Sequence, residues 1–592
     1  MFIKKCIKID KSTKKKYFFY QLVESVRTEK GPRQKFLLNI GSKLDLNKKE
    51  KKSLSNRIDE ILSGINRLFP CDEKIENLAN IFAKELLKKK AEIFQTKESE
   101  YCEIDLSSIE NENPKSIGVE TISYQAIKDL CLDKKLKELG LSKRLVEIAI
   151  GSIIGKLAIA KSELAIYEWL KNESGLDEIM NTNFSKLSLR KIYEITDILL
   201  SKKDKIEKHL EQKEKELFDL EDQIVLYDLT NTYFEGRPIN KKAKRGKSKE
   251  NRSDAPLVTL ALVLNKDGFI KKSRIYEGNI SEPKTLKQVI EDIKFFDKKP
   301  ILIMDKGIAT KDNLEWLREN AYPYIVASRK KDECEGEYEI IKKSKNNTVS
   351  AYTVKNLDTN EIELHCHSTS REKKEQAIKT TFQKRFEESL EKLVTLKKRK
   401  TLKKAIEQLG RIKQKYSRIG SLYEVTLISD ETKKYLKKVK WEFKEKKAIE
   451  KFQGKYVLRA NLVDFSEKEL WETYTMLTGV EESFRSLKSE LGLRPIYHQK
   501  ESRIDAHLFL TVLAYHVLHT IRYKLKFNDI NYSWETIRKN MRTQIRVTTL
   551  MRTKTNKIIR VRKSTNPEPF HKMIYRSLNL SSKPIKPTKS FV

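Results

Sequence analysis

Three acidic residues lie in segments whose patterns predict a shared chemical site. Asp228 ends the apolar run IVLYD and Asp305 ends the run ILIMD, and each run is typical of a buried strand. Glu481 lies in residues 474–488 (YTMLTGVEESFRSLK), where the pattern predicts a helix. Two Mg²⁺ ions about 3.5–4 Å apart, held by converging carboxylates, clamp the attacking and departing oxygens of a phosphodiester. The trio therefore predicts a two-metal phosphoryl-transfer site, in which Mn²⁺ substitutes for Mg²⁺.

Each acidic residue also has an ordinary structural interpretation. An aspartate at the end of a strand often caps the following turn, and most helical glutamates are solvated. Helical spacing puts four side chains on one face: Glu481, Phe484, Arg485 and Lys488. The neighbouring Glu482 points about 100° away from that face. The phase of the helix therefore favours Glu481 over Glu482.

The chain is strongly basic. Its 592 residues contain 122 Lys and Arg against 84 Asp and Glu, which gives a formal charge of +38. Such an excess indicates a polyanionic partner, most often nucleic acid. Lys, Ile and Asn are all abundant, so AT-rich codons remain an alternative source of part of the charge. The length predicts several domains rather than one core.

The cysteine pattern argues against a disulfide framework or a structural zinc site. Six cysteines are scattered without a C-x-x-C pair, which fits a reducing cytosol. The triplet His365-Cys366-His367 is predicted to lie in a strand, where neighbouring side chains point to opposite faces and cannot share an ion. The N-terminus has no signal-peptide pattern, and no run of about 18 apolar residues occurs. We expect a soluble protein of the bacterial cytoplasm, associated with the nucleoid and not with a membrane.

Changes in composition and the positions of turn-forming residues divide the chain into six predicted parts. They are an N-terminal β-hairpin with helices and a linker (1–115), a helical segment (116–220), the first part of a core (221–330), a mainly β insertion with a helical arm (331–465), the final core helices (466–530) and a basic C-terminal tail (531–592). The polar residues 100–115 are the predicted linker. For 116–220, DNA binding through a helix-turn-helix and plain helix packing remain equally open.

The predicted core has a recognisable order of elements. Strand 224–229 is followed by a basic loop, a hairpin with an Asp-Gly turn over 257–277, helix 282–296, strand 301–304, a second helix and strand 324–327. The series β-β-β-α-β-α-β is that of a ribonuclease-H-like fold. The predicted fold class is therefore an α/β core of this type, interrupted by the β insertion before the helix with Glu481.

A spaced motif around Glu481 resembles a known family. Tyr474-x2-Leu477-x3-Glu481-x6-Lys488 is similar to the Y-x2-R-x3-E-x6-K signature of DDE transposases of the insertion-sequence "four" superfamily. Several segments resemble its 1634 group: VEESFRSLK around Glu481, LRPIYH (493–498), GKSK (246–249), YEGN (276–279) and DKG (305–307). The resemblance covers roughly residues 10 to 525.

The resemblance implies cut-and-paste DNA transposition. Asp228, Asp305 and Glu481 would hold the divalent ions, and Tyr474 and Lys488 would contact backbone phosphate. Water would cut at the terminal inverted repeat of the transposon, and the freed 3′-OH would attack either the opposite strand, as in a hairpin route, or target DNA. A homodimer that acts in trans is expected from the family.

The signature arginine is replaced by Leu477, which cannot bind phosphate. We hypothesise that Arg485, on the face of Glu481, replaces it, while a solvated Arg485 or one paired with Glu482 is the alternative.

Other basic residues are weaker predictions of DNA contact. Lys247 and Lys249 lie in the basic loop 239–252, which is otherwise a solvated charge run. Arg503 and His507 share a helical face, although His507 also fits a core histidine.

Three other functions remain alternatives. They are a ribonuclease-H-like nuclease without strand transfer, a catalytically inactive DNA-binding derivative, and an RNA-binding scaffold. The last is disfavoured because aromatic-rich RNA-recognition motifs are absent from the sequence.

Overall fold

The computed structural model describes most of the chain. The described residues are 1–9, 16–28, 31–41, 44–62, 72–94, 101–221, 223–249, 252, 254–292, 299–328, 336–356, 359–394, 400–432, 434–445 and 453–591. Residues 293–296 of the predicted core helix, and 250, 251 and 253 of the basic loop, lie outside this set.

The described residues contain the following strands and helices. The strands are β1 (Phe2–Ile9), β2 (Lys16–Thr28), β3 (Gly31–Gly41), β4 (Ile104–Ser116), β5 (Ile224–Tyr233), β6 (Leu257–Asn265), β7 (Ile270–Glu277), β8 (Ile301–Met304), β9 (Tyr324–Ala327), β10 (Glu339–Lys343), β11 (Thr348–Asn356), β12 (Glu361–Ser368), β13 (Tyr423–Ser429), β14 (Leu436–Phe443), β15 (Lys455–Ala460), β16 (Ile545–Thr553), β17 (Ile558–Ser564) and β18 (Thr588–Phe591).

The helices are α1 (Lys48–Leu62), α2 (Glu73–Phe94), α3 (Gly118–Asp129), α4 (Leu132–Glu138), α5 (Lys143–Ile159), α6 (Glu163–Asn172), α7 (Leu176–Met180), α8 (Leu189–Ser201), α9 (Lys203–Phe218), α10 (Glu282–Asp292), α11 (Lys311–Glu319), α12 (Thr369–Val394), α13 (Leu402–Lys415), α14 (Ser417–Gly420), α15 (Glu467–Thr475), α16 (Leu477–Arg485), a π-helical turn (Ser486–Glu490), α17 (Glu501–Lys526), α18 (Trp534–Met541) and α19 (Pro569–Ser577).

The chain forms two compact units. Unit 1 combines Met1–Thr121, Glu173–Ile179 and Lys539–Val592, and unit 2 combines Ile122–Asn172 and Met180–Arg538. The boundaries of these units differ from those of the six predicted parts, because each unit combines segments that are distant along the chain.

The N-terminal part of unit 1 contains a three-stranded sheet, where the sequence predicted a hairpin. β1, β2 and β3 lie in that order, and β1 pairs antiparallel with β2 from Phe2↔Val23 to Ile9↔Lys16. Leu22 and Leu38 from the sheet pack against Leu54 and Ile58 of α1. The third strand was missed because residues 1–9 are rich in lysine and show little apolar alternation.

The predicted linker and the predicted basic tail pair with each other in unit 1. The order of their sheet is β18-β17-β16-β4, so residues 104–116 form a strand, and the described residues 531–591 contain three strands and two helices. β4 is mostly exposed and polar, and it carries no hydrophobic pattern that would predict a strand. Acidic side chains on β4 face a basic neighbourhood, as in the ion pair of Glu112 with Arg560.

Unit 2 is built on one nine-stranded mixed sheet. Its order is β10-β11-β12-β15-β9-β8-β5-β6-β7, with β5, β8 and β9 parallel and the other pairs antiparallel. The predicted strands of the core are confirmed. β6 is buried at every position, as expected for a central strand covered on both faces.

The β insertion differs from expectation in one respect. Its strands β10, β11, β12 and β15 extend the core sheet through the pairing of β15 with β9. Its helical arm, α12 to α14 with the hairpin β13–β14, has an apolar cluster of its own around Phe386, Leu390 and Tyr423. The triplet 365–367 lies in β12, as predicted.

Three helices from the predicted 116–220 segment, α5, α8 and α9, pack around α17 within unit 2, whereas most of α7 belongs to unit 1. α5 and α8 both contact α17, so these helices form part of the core and not an independent domain. By length and composition α17 is apolar enough to cross a membrane, but 89% of that stretch is buried. α17 is thus the central core helix of this unit.

The segment predicted as one helix over 474–488 has two interruptions. α15 begins with a capping box at Ser466 and ends at Thr475, and α16 continues after a turn at Met476. The last residues widen into the π-helical turn. The simple helical phase used for Lys488 therefore applies only as far as Arg485.

Candidate active site

Asp228 and Asp305 lie at the same level of two neighbouring parallel strands. Asp228 is within β5, which continues to Tyr233, and Asp305 directly follows β8. β5 pairs with β8 so that Tyr227 lies opposite Met304, and each aspartate is the next residue in its chain. Both carboxylates are also oriented in the same way. Asp228 Oδ1 accepts the amide of Leu229 at 2.7 Å, and Asp305 Oδ1 accepts the amide of Lys306 at 2.8 Å. The predicted convergence of the two aspartates is thus present in the sheet.

Asp228 lies in an environment that resists its ionisation. Its side chain is 17% exposed, and burial raises its pKa to about 6. The Lys249 ammonium opposes this rise, whereas the negative charges of Asp305 and Glu282 add to it. The interaction with Asp305 shows that the two aspartates share one electrostatic environment.

Lys249 and Glu282 complete this acidic group. Lys249 Nζ lies 2.9 Å from Glu282 Oε1 and 3.5 Å from Asp228 Oδ1, and it donates to the carbonyl of Leu229 at 2.7 Å. Although burial lowers it, the pKa of Lys249 is raised overall by the two carboxylates. Lys249 was predicted to contact DNA. Its ammonium pairs with Glu282 and lies near Asp228, and the DNA contact stays a prediction.

Glu282 was missed by the sequence interpretation. It is the first residue of α10, where an acidic residue is common because it favours the positive end of the helix dipole. Because a glutamate is common at this position, its presence there does not indicate a role in the site. The feature that could have indicated it is the position of Glu282 shortly after the third strand of the core, the strand that pairs with β6.

Glu481 lies beside a small pocket on α16, and α16 packs against β5. Glu481, Tyr474, Leu477, Arg371 and Tyr456 are among the residues that line this pocket. Burial raises the pKa of Tyr474 to about 12, and the carboxylates of Asp305 and Glu481 add to the rise while Arg371 opposes it. Tyr474 is therefore within electrostatic range of both acidic residues, one from the sheet and one from the helix.

Lys488 lies on the Asp228 side of the site. Burial lowers its pKa to about 8, the Lys249 ammonium lowers it further, and Asp228 opposes the change. The π-helical turn carries Lys488. Tyr474 and Lys488 of the spaced motif thus flank the acidic group from two directions.

Two arginines are candidates to replace the signature arginine, which is a leucine at position 477 in this chain. Arg485 is exposed and, among the described residues, takes part in no hydrogen bond or ion pair. It does not pair with Glu482, which binds Arg522 at 2.9 Å. Arg371, from the helical arm, lines the pocket with Leu477 and Glu481. Its guanidinium lies 4.6 Å from the centre of the Tyr456 ring.

Of the three remaining residues predicted to contact DNA, one is exposed and two contact other side chains of the protein. Lys247 is exposed. Arg503 lies 3.6 Å from Asp197 and over the ring of Tyr193. His507 is 4% exposed, so it is a core histidine and cannot reach a phosphate. The prediction failed because α17 is buried on nearly all sides and has no polar face to present.

His507 belongs to a buried cluster outside the acidic group. Ligand atoms of Glu163, His498 and His507 lie within 4.8 Å of one another, close enough for a metal ion. The Lys156 ammonium, however, lies 4.0 Å from Glu163 Oε1 and 3.4 Å from His507 Nδ1. A buried cation already balances this carboxylate, so the cluster is best explained as a structural network.

The donor set at Asp228 and Asp305 fits a hard divalent cation. Every donor is a carboxylate oxygen. The backbone amides fix one oxygen of each aspartate, and such outer contacts orient the ligands of a metal. Asp228, Asp305 and Glu282 form this group, and Tyr474, which is affected by the charges of both Asp305 and Glu481, lies between it and Glu481.

A comparison with known families agrees with this arrangement. Residues 219–517 match the model of the family described as "Transposase DDE domain". Among solved structures, the chain is similar to the cryo-EM structure of a piggyBac transposase synaptic complex with hairpin DNA, at 8% sequence identity and a TM-score of 0.33, over 75% of this chain and 82% of that one. At this degree of overlap, no property transfers from that protein. No curated protein matches the chain.

Proposed function

The chain belongs to the transposase DDE domain family, and on that premise we propose that it is a DNA transposase that cuts at transposon ends and joins them to a target by a cut-and-paste route. The observation that carries the proposal is the parallel pair β5–β8, which brings Asp228 and Asp305 side by side. The spaced motif around Glu481 supports the insertion-sequence "four" superfamily and its 1634 group as the closer relatives.

The sheet order supports a ribonuclease-H-like core. The five strands β7-β6-β5-β8-β9 combine an antiparallel trio with two parallel strands, and α10 and α11 make the connections before β8 and β9. This arrangement puts the carboxyl ends of β5 and β8 at one edge, where converging ligands are expected.

The proposed cofactor is Mg²⁺, two ions per site, with Mn²⁺ as a substitute. DDE transposases use divalent metal ions. When bound, such ions activate the attacking oxygen and stabilise the departing one in an in-line displacement. In this chain Asp228, Asp305 and Glu481 would hold them.

The other residues of the site act on the DNA. The pKa of Tyr474 is raised, so its hydroxyl keeps its proton at neutral pH and can donate to a phosphate oxygen. Lys488 has a pKa near 8 and is mostly charged at neutral pH. A phosphate beside Lys488 would favour the charged form. Both displacements, cleavage by water and attack by the 3′-OH, can use these same contacts in turn.

A guanidinium is also needed where the family signature has arginine. We favour Arg371, because it shares the pocket with Leu477 and Glu481, over Arg485, which does not line that pocket. Strand transfer by Arg371→Ala, Arg485→Ala and Arg485→Lys separates the two. A loss with Arg485→Ala alone would restore the original hypothesis.

The proposed partner is double-stranded DNA, as both terminal inverted repeats and target. The charge of +38 supports it. Joining two ends requires two active sites, so we propose a homodimer in the DNA complex. The expected location is the nucleoid of a bacterial cytoplasm.

An assay of cleavage and joining tests the proposal. DNA from both flanks of the coding region is incubated with protein and Mg²⁺ or Mn²⁺, with a pre-cut version and a target plasmid. Wild type should nick at the ends and join the pre-cut DNA to the plasmid, whereas Asp228→Asn, Asp305→Asn and Glu481→Gln should do neither. Cleavage without joining would indicate the nuclease, and binding without cleavage the inactive derivative.

A further inference from the structure

We propose that Glu282 is a fourth acidic residue of the active site and contributes a carboxylate oxygen to the cation position between Asp228 and Asp305. The inference rests on the proposed function, since it adds a residue to the same site. Neither the spaced motif nor the trio of strand and helix carboxylates includes this position.

Glu282 is held at the site by contacts on both sides of α10. The Tyr227 hydroxyl on β5 donates to Thr285 Oγ1 at 2.7 Å. Asn313 Nδ2 on α11 donates to the carbonyl of Pro283 at 2.9 Å. The first turn of α10 is therefore fixed to the strand that carries Asp228 and to the helix that follows Asp305.

One cation already joins Glu282 to Asp228. The Lys249 ammonium lies 2.9 Å from Glu282 Oε1 and 3.5 Å from Asp228 Oδ1. The space between these two carboxylates thus accepts a positive charge at bonding distance. A divalent ion with oxygen ligands has the same requirement and a higher charge.

Gly307 brings Glu282 to Asp305. A Cβ atom built on Gly307 would lie 2.6 Å from Glu282 Oε2 and 3.8 Å from Asp305 Oδ2. The second oxygen of Glu282 therefore occupies the space that any larger residue at 307 would need, and the Asp305 carboxylate borders the same space. One oxygen of Glu282 thus contacts Lys249, which also lies near Asp228, and the other lies beside Gly307, near Asp305.

A simpler role for Glu282 would be to favour the N-terminus of α10 through the helix dipole. That role predicts a change in stability when the charge is removed but no change in metal affinity. Metal binding, measured apart from catalysis, is therefore the property that separates the two roles.

The experiment measures Mn²⁺ binding to the full-length protein by titration calorimetry and by the EPR signal of free Mn²⁺. Glu282→Gln is compared with wild type, Asp228→Asn and Asp305→Asn. The matched control is Glu221→Gln, which removes an ion-paired carboxylate just before β5. We expect Glu282→Gln to bind Mn²⁺ about 10–100-fold more weakly than wild type and Glu221→Gln to bind like wild type.

A second variant keeps the inference testable if Glu282→Gln does not fold. Gly307→Ala leaves Glu282 in place but pushes its carboxylate aside, and it should also weaken Mn²⁺ binding. Wild-type affinity in folded Glu282→Gln, or in Gly307→Ala if the first variant does not fold, overturns the inference. If Asp228→Asn loses binding in the same series, the proposed function stands. If wild type itself binds no Mn²⁺ and cuts no DNA, the proposed function fails instead.

Discussion

Replacing Asp228 by asparagine should stabilise unit 2 while it abolishes DNA cleavage. The Asp228 carboxylate is 17% exposed, and burial raises its pKa from 3.8 to about 6. A rise of this size corresponds to about 3 kcal/mol of preference for the protonated form in the folded protein. Lys249 reduces this cost but does not remove it.

The sign of the effect follows from proton linkage. The folded state holds a proton on Asp228 up to about pH 6, whereas the unfolded chain releases it near pH 3.8. Between these values the folded state binds more protons, so its stability falls as pH rises and stays lower above pH 6. Asparagine does not ionise and escapes this loss. The gain from Asp228→Asn should therefore vanish only below about pH 4 and reach at most about 3 kcal/mol above pH 6.

Hydrogen exchange followed by mass spectrometry can measure this gain in stability in individual segments of the chain. Peptides from β5 and β6 should exchange on the order of 100-fold more slowly in Asp228→Asn than in wild type at pH 7.5. The ratio should fall to about sixfold near pH 4.5 and approach one only below about pH 4. Peptides from unit 1 serve as the internal control, and the exposed Asp464→Asn should leave exchange unchanged.

The opposite result would refute the argument. If β5 and β6 exchanged faster in Asp228→Asn at pH 7.5, or if the ratio did not vary with pH, burial would not oppose ionisation of Asp228. The stabilising variant should also fail to cut DNA, because asparagine is a poor ligand for a hard cation. Stability and activity would then change in opposite directions at one residue.

Three further outcomes are expected. Lys249→Met should bind Mn²⁺ more tightly than wild type in calorimetry, because the ammonium no longer competes for the carboxylates; weaker binding would contradict this. Arg371→Ala should bind transposon-end DNA roughly tenfold more weakly in a gel-shift titration, and Arg485→Ala should not, whereas the reverse order would assign the phosphate contact to Arg485. Burial raises the pKa of Glu120 to about 7, so the stability of unit 1 should fall as pH rises from 4.5 to 7. Glu120→Gln should remove that fall in hydrogen exchange of unit 1, and an unchanged pH dependence would oppose the assignment.

Local patterns were sufficient for the centre of the site. The runs that end in Asp228 and Asp305 are apolar and bounded by turns, and such runs predict buried strands whatever surrounds them. Since the strands are parallel neighbours, the order of elements also predicted that the two aspartates meet. The hairpin of β6 and β7 followed from its Asp-Gly turn, where Gly268 has a φ of +86°.

Tertiary contacts between distant segments could not be predicted in this way. β4 pairs with β16 from the far end of the chain, and neither strand shows the alternation that would indicate a partner. Arg371 reaches the pocket of Glu481 from the helical arm, and on α12 it resembles any solvated arginine. Helical spacing puts Arg503 and His507 on the same face of α17. That spacing does not show whether the face is exposed, and α17 is buried on nearly all sides.

The electrostatics of the site explain why its residues are hard to recognise singly and informative together. Burial raises the pKa of Asp228 and lowers that of Lys488, so each group is shifted toward its neutral form. A divalent cation would favour the ionised aspartate, and a phosphate would favour the charged lysine. With pKa values near 6 and 8, both residues are mostly charged at neutral pH. Each ligand would thus complete the charge of the residue that binds it, and proton release or uptake should accompany binding mainly near those pH values. A solvated surface cluster would have neither property, because its groups already carry their full charge in water.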